Sequence, residues 1–143
     1  DSQVLPIWEG TTNVLSLDAL RALGRSGEPL LALAKEVDRC VNTATDDRLK
    51  TAGDVAETAV AQAMNWLQNN LADQNALEAG ARRFALTLGR SLALAKLIEQ
   101  AQWSLDVEGD GRPRAAACRF AQTPINQIAL IDPADAAALA DDL

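Results

Sequence analysis

The sequence predicts an all-α protein, an antiparallel helical bundle. Alanine makes up roughly a fifth of the 143 residues and leucine comes next, while aromatics are only 3%. Those two side chains lose little rotamer freedom in a helix. Apolar residues recur at three- and four-residue steps, the spacing of one buried helical face. No segment shows the strict alternation of a half-buried strand, and there is no internal repeat.

Residues 1–12 carry no period, and Pro6 and Gly10 mark them as a loop. The bundle domain then occupies residues 13–143. Its first helix starts near Thr12 or Asn13, either of which can cap it, and runs through Val14, Leu17, Leu20 and Leu23 to Arg25. Gly24 and Gly27 are stop signals, and Pro29 suits the first position of a second helix with Leu30, Leu33, Val37, Cys40 and Val41 on one face. Two long helices follow, over about residues 47–71 and 74–105. Leu49, Ala52, Ala56, Ala59, Val60, Ala63 and Leu67 stripe the first; Leu77, Phe84, Leu88, Leu92, Ala95 and Ile98 stripe the second. The short Asp73-Gln74-Asn75 turn between them makes them antiparallel. Small residues in the first stripe permit a close neighbour, within the chain or in another subunit.

Asp106 to Pro113 resembles a calcium loop only superficially. It lacks the regular acidic spacing and the terminal Glu, and reads as a surface turn. A short helix is expected over Arg114–Gln122, ended by Thr123-Pro124. Ile125–Ile131 is apolar and ambiguous, and Pro133–Leu143 is an acidic last turn or frayed tail. Trp66 and Trp103 read as core or boundary fillers.

Composition excludes several chemistries. With 48% hydrophobic and 23% charged residues the chain is globular rather than disordered. With no histidine, Ser-His and Cys-His catalysis and His-ligated zinc or haem are excluded. No metal-ligand spacing is present. A net charge of −7 argues against a broad nucleic-acid-binding face. Cys40 and Cys118 lie far apart with no C-x-x-C, which reads as a reduced cytoplasmic protein with both thiols filling its core. No run approaches the length of a membrane span. The chain opens at Asp1-Ser2-Gln3 without Met, as expected for a fragment or a processed product.

Chemistry concentrates in the front loop, Pro6-Ile7-Trp8-Glu9-Gly10-Thr11-Thr12-Asn13. Trp8 is placed to shield Glu9 from water, which raises a carboxyl pKa toward the range of a general base. Gly10 leaves room for a ligand to approach the backbone. Thr11, Thr12, Asn13 and the amides of the helix start offer donors to an anion or a polar cofactor edge.

Ile7-Trp8-Glu9-Gly10-Thr11-Thr12-Asn13-Val14 resembles the I-[YW]-E-G-T-x-[EQN]-[IV] signature near the C-terminal end of acyl-CoA dehydrogenases. Asp1 is similar to the Asp of the R-D pair that precedes it in that family. The helical continuation, with Trp in place of Tyr, is most similar to the AidB-like branch with its extra C-terminal helical domain. The resemblance implies an acyl-CoA dehydrogenase C-terminal-domain-like fold and an FAD-dependent parent enzyme acting on an acyl-CoA thioester. Glu9 is then the base that takes the α-proton. Trp8 and Gly10 border the substrate, and Thr11 and Asn13 touch FAD. It also implies a homo-oligomeric parent. Most of the flavin and CoA sites would lie in domains absent from this chain, so the isolated chain is expected to be inactive and to hold FAD weakly or not at all.

The competing reading is a DNA-binding or subunit-association module. Arg82, Arg83 and Arg90 lie on the long helix, and Arg83 and Arg90, seven apart, share a face. With Lys96, Arg112, Arg114 and Arg119 they make seven basic residues against four acidic ones over 82–119, a local excess of +3. The blander expectation pairs Glu78 with Arg82 at i,i+4 and leaves the others solvated.

Overall fold

A computed structural model describes residues 12–24 and 27–128. The described residues contain five helices: α1 Thr12–Gly24, α2 Glu28–Val41, α3 Asp47–Asn70, α4 Gln74–Val107 and α5 Arg112–Ala121. Among the described residues there is no strand. The 34-residue α4, about 50 Å long at the usual rise, contacts every other helix. Its largest interface is with α3.

Local chemistry sets the boundaries. Gly27 takes a left-handed φ of 68° ahead of α2, and Pro29 occupies the first turn, where its missing N–H costs nothing. The Asp46 carboxylate caps α3 by accepting from the amides of Arg48 (2.9 Å) and Leu49 (3.2 Å). Asp73 caps α4 through the Ala76 amide at 3.0 Å. Gly109, at φ 65°, lets the chain turn after α4, and the Asp110 amide closes that turn on the Ser104 carbonyl. The last helix begins at Arg112 rather than Arg114, because Pro113 sits in its first turn instead of preceding it.

Every residue of the predicted α3 stripe is buried. Ala52, Ala56, Ala59 and Ala63 are small enough for close packing, so the Ala-rich face serves packing within the chain. One core cluster joins α2, α3, α4 and α5 around Val37, Leu49, Ala56, Leu94 and Ile98. A second joins α1 to the facing ends of α3 and α4 around Leu20, Leu67, Leu77 and Phe84. The predicted α4 stripe is buried except for Leu92, which is half-buried.

Two glycines sit where a side chain would collide. A Cβ on Gly80 would lie 2.7 Å from Cη2 of Trp66 and closer still to Cζ2. The indole thus lies against bare α4 backbone, and its ring centroid is 5.5 Å from that of Phe84. Gly53 likewise faces Val41. Trp103 departs from the expectation of a filler: it is 48% exposed, on α4 beside Lys96, Glu99 and Gln100. Cys40 is fully buried while Cys118 is only half-buried, and both are free thiols.

The described part of the ambiguous segment after α5 is an irregular strap over residues 124–128, while residues 129–131 and the Pro133–Leu143 tail lie outside the described residues. Ile125 is buried. Asn126 donates to the Gln62 side chain on α3 at 2.5 Å, and the Gln127 amide donates to Thr87 Oγ1 on α4 at 2.9 Å. The buried Thr87 hydroxyl in turn donates to the Arg83 carbonyl.

Gly80→Ala should lower stability by about 1–3 kcal/mol through overpacking against Trp66. Gly89→Ala, on the same helix with nothing near its Cβ position, should raise it by about 0.5–1 kcal/mol. Urea unfolding midpoints compare the two. Equal gains would mean that the indole does not constrain position 80.

Candidate functional site

The predicted catalytic loop, Trp8, Glu9, Gly10 and Thr11, lies outside the described residues, as does the side chain of Asn13. What the structure does describe is the support directly behind it. Helix α1 begins at Thr12, immediately after the Trp-Glu-Gly-Thr run. Leu17 and the buried Leu20 pack it into the second core cluster beside Leu77, Ala81 and Phe84 of α4. Helix α1 is therefore anchored to the longest helix.

The basic residues separate into two groups. Arg90 reaches the end of α5: its Nη2 donates to Thr123 Oγ1 at 2.6 Å, and its guanidinium sits 5.0 Å from the Phe120 ring centroid. Lys96 pairs with Glu36 and Glu99, Arg112 with Asp110, and Arg114 with the capping carboxylate of Asp46 at 2.9 Å. Arg90, Lys96 and Arg114 thereby reach other segments of the bundle and Arg112 serves its own turn, so all four have partners. Arg82 and Arg83 do not: among the described residues neither guanidinium has an ion-pair partner. The expected Glu78–Arg82 pair is absent. Glu78 accepts instead from Gln74 Nε2 at 2.7 Å, one turn toward the helix start. Arg82 and Arg83 line a cleft of about 410 Å³ with Leu17, Glu78, Ala79 and Ala81.

Sequence reasoning missed a charged cluster that ties α2 to α4. Arg39 Nε and Nη2 donate to the two oxygens of Glu36 at 2.8 Å each, and Nη1 reaches Glu99 at 2.7 Å. Lys96 bridges the same two carboxylates. The buried Cys40 thiol donates to Glu99 Oε2 at 3.3 Å. Arg39, then Lys96, holds the Glu36 carboxyl well below the usual range. Glu99 is lowered to about 2, chiefly by Arg39 and then by the Cys40 thiol. Burial, and then the bond to Glu99, pushes the Cys40 thiol up, so it stays protonated and poorly nucleophilic. The i,i+3 spacings Glu36–Arg39 and Lys96–Glu99 were visible in the sequence; that they face each other was not.

A second polar tie fixes the α2–α3 connection. The carboxamide oxygen of the buried Gln102 accepts from the amides of Thr45 (2.9 Å) and Asp46 (3.0 Å), and its nitrogen donates to Asp106. Among the described residues, no group of three or more His, Cys, Asp or Glu could hold a metal ion. No described helix is long and apolar enough to cross a membrane.

Residues 28–139 match the family model for "Acyl-CoA dehydrogenase 11 C-terminal domain-like". The chain is 39% identical over 107 residues to "Acyl-CoA dehydrogenase family member 11" of Caenorhabditis elegans. That alignment covers 71% of this chain and 17% of the relative, so the chain spans a small part of the relative's length. Neither comparison names the AidB-like branch. No solved structure matches.

The charged cluster makes stability pH-dependent. Because the folded-state pKa values of Glu36 and Glu99 lie below their ordinary 4.5, their contribution is complete above that value and fades as pH falls toward about 2. Glu36→Gln combined with Glu99→Gln should unfold at lower urea than the parent sequence at pH 7. That difference should narrow steadily as pH falls from about 5 to about 2. A difference independent of pH would show that the cluster does not act through ionised carboxylates.

Proposed function

Because the chain belongs to the acyl-CoA dehydrogenase 11 C-terminal domain-like family, we propose that it is the C-terminal helical part of an FAD-dependent acyl-CoA dehydrogenase-like oxidoreductase. The observation that carries this reading is the agreement of two separate stretches. The Ile7–Val14 signature precedes α1, and the family match begins only at residue 28, so neither contributes to the other.

In this reading Glu9 removes the α-proton of an acyl-CoA thioester as a hydride leaves the β-carbon and the α,β double bond forms. Bound flavin supplies the hydride acceptor. An α-proton is weakly acidic, so its base must be dry and well aimed. Trp8 would exclude water, Gly10 would admit the substrate to the backbone, and Thr11 and Asn13 would hold the flavin. The packing of α1 on α4 through Leu17 and Leu20 supports that aim, because a reactive loop is only as well placed as the element holding it. The remaining walls of the site come from the rest of the parent protein, so the chain alone is inactive. Homo-oligomerisation of the parent belongs to the same reading and would use surfaces other than the Ala-rich face of α3, which is already covered.

Nucleic-acid binding is the less favoured reading. Of the seven basic residues between 82 and 119, only Arg82, Arg83 and Arg119 lack a carboxylate, hydroxyl or ring partner among the described residues. A polynucleotide needs more neutralised phosphates than that for useful affinity.

The test uses the parent protein, without oxygen, mixed with straight and branched acyl-CoAs while oxidised-flavin absorbance is followed. One substrate class should bleach the flavin. Glu9→Gln should slow bleaching by about 10²–10⁴-fold with flavin still bound. Undiminished bleaching in the variant would remove Glu9 from the mechanism.

A further inference from the structure

Helix α5 and the strap after it follow one path across the bundle. Helix α5 starts beside the start of α3, where Arg114 meets the Asp46 cap and the Cys118 thiol donates to the Arg48 carbonyl at 3.8 Å. The strap then reaches Gln62 through Asn126. Against α4 the order is reversed: Thr123 meets Arg90, and the Gln127 amide meets Thr87. The chain thus runs along the groove between α3 and α4, parallel to the first and antiparallel to the second. That groove continues beyond Ile128, the last described residue. One turn past Gln62 on α3 stands Trp66; one turn before Thr87 on α4 stands Arg83, preceded on the same face by Ala79 and Ala76. Trp66, Ala76 and Arg83 are half-buried, and Ala79 is exposed. Ile128 already packs on the core cluster that Trp66 joins. Arg83 has no ion-pair partner among the described residues.

Residues 129–143 carry the complementary pattern. Ala136, Leu139, Ala140 and Leu143 share one side of a helical wheel, and Asp135, Asp141 and Asp142 fall on the other. Asp132 followed by Pro133 is a helix-start pair, a capping carboxylate ahead of a first-turn proline. The family match runs to residue 139, so most of this segment belongs to the domain's own pattern. Lengths agree as well. From 123 to 127 the chain advances from Arg90 to Thr87, about 4.5 Å along α4. Five more residues at that pace bring Asp132 about 6 Å further, level with Arg83. A helix over 133–143 would be about 16 Å long, and α4 from Arg83 back to Gln74 is about 14 Å.

We infer that the occupant of this groove is the chain's own segment 129–143. Residues 133–143 form a short helix whose apolar stripe covers Trp66, Ala76 and Ala79. Asp132 caps that helix and pairs with Arg83, repeating the double use of Asp46, which caps α3 and pairs with Arg114. Asp135, Asp141 and Asp142 face solvent, so this side of the bundle presents acid rather than base to a polynucleotide.

The test uses the 143-residue chain with Trp8→Phe and Trp103→Phe, which leaves Trp66 as the one indole. Amides of residues 137–141 should exchange about tenfold slower, or more, than in the isolated 129–143 peptide. Leu139→Asp with Leu143→Asp should abolish that protection and raise acrylamide quenching of Trp66. Both changes lie beyond the five described helices, so circular dichroism should show the bundle still folded. Arg83→Gln and Asp132→Asn, the latter keeping a capping side chain, should each lower protection about two- to fivefold. Together they should cost no more than either alone, the signature of a shared pair. Unprotected tail amides, Trp66 quenching unchanged by the two Leu substitutions, or additive effects at positions 83 and 132 would overturn the proposal. Protection that appears only as protein concentration rises, with a dimer in light scattering, would overturn it by making a second copy the occupant.

Discussion

The close approach of α3 to α4 depends on small side chains: Ala52, Gly53, Ala56, Ala59 and Ala63 line the buried face of α3. Larger residues there would push the helices apart and strand Phe84, Leu94 and Ile98, all fully buried, without partners. The arrangement is demanding, since small residues each remove little apolar surface from water. Gly80 carries the same constraint to the far end of the pair, where the Trp66 indole occupies the space a methyl group would need. Once that pair is set, α4 becomes the surface on which α1, α2 and α5 dock.

Polar side chains compensate for the modest apolar area by fixing register. Gln102 holds two backbone amides of the α2–α3 connection, and Arg114 on α5 holds the carboxylate that caps α3. Thr87 receives the strap after α5, and Arg90 seats its guanidinium against Phe120. These bonds join segments 33 to 68 residues apart in sequence. Each is worth little alone when it is exposed, but a misplaced helix would leave buried amides and hydroxyls without partners, which is costly. Arg90 and Arg114 are taken up in these bonds, whereas Arg82 and Arg83 have no ion-pair partner among the described residues. The membership of the chain in an acyl-CoA dehydrogenase C-terminal family gives that geometry its context.

The candidate site was legible to an unequal degree. The Trp8-Glu9-Gly10-Thr11 run lies outside the described residues, and it stands out because a carboxylate between an aromatic and a glycine in one short stretch is a local pattern. Arg82 and Arg83 were legible as cations but not as unpaired ones. Glu78 stands at the ideal i,i+4 spacing and still bonds Gln74. Arg90 looked equivalent to Arg83 from its helical phase, yet the end of α5 claims it. Trp103 is a large apolar side chain in an outward position, because helical phase groups it with the charged Lys96 and Glu99 rather than with the core stripe of α4.

The sequence by itself determined the helices, their capping residues Asp46 and Asp73, the turn at Gly109 and the buried stripe of α3. The caps follow from interactions spanning four residues or fewer, the turn closes from the Asp110 amide to the Ser104 carbonyl, and the stripe follows the helical period. The tertiary structure alone decided that Glu36 and Arg39 meet Lys96 and Glu99, that Trp66 lies on Gly80, and that Thr87 receives the strap. Those pairings depend on the axial rotation and register of whole helices. Rotation and register are settled by the packing of residues from distant segments at once, and no local pattern encodes them.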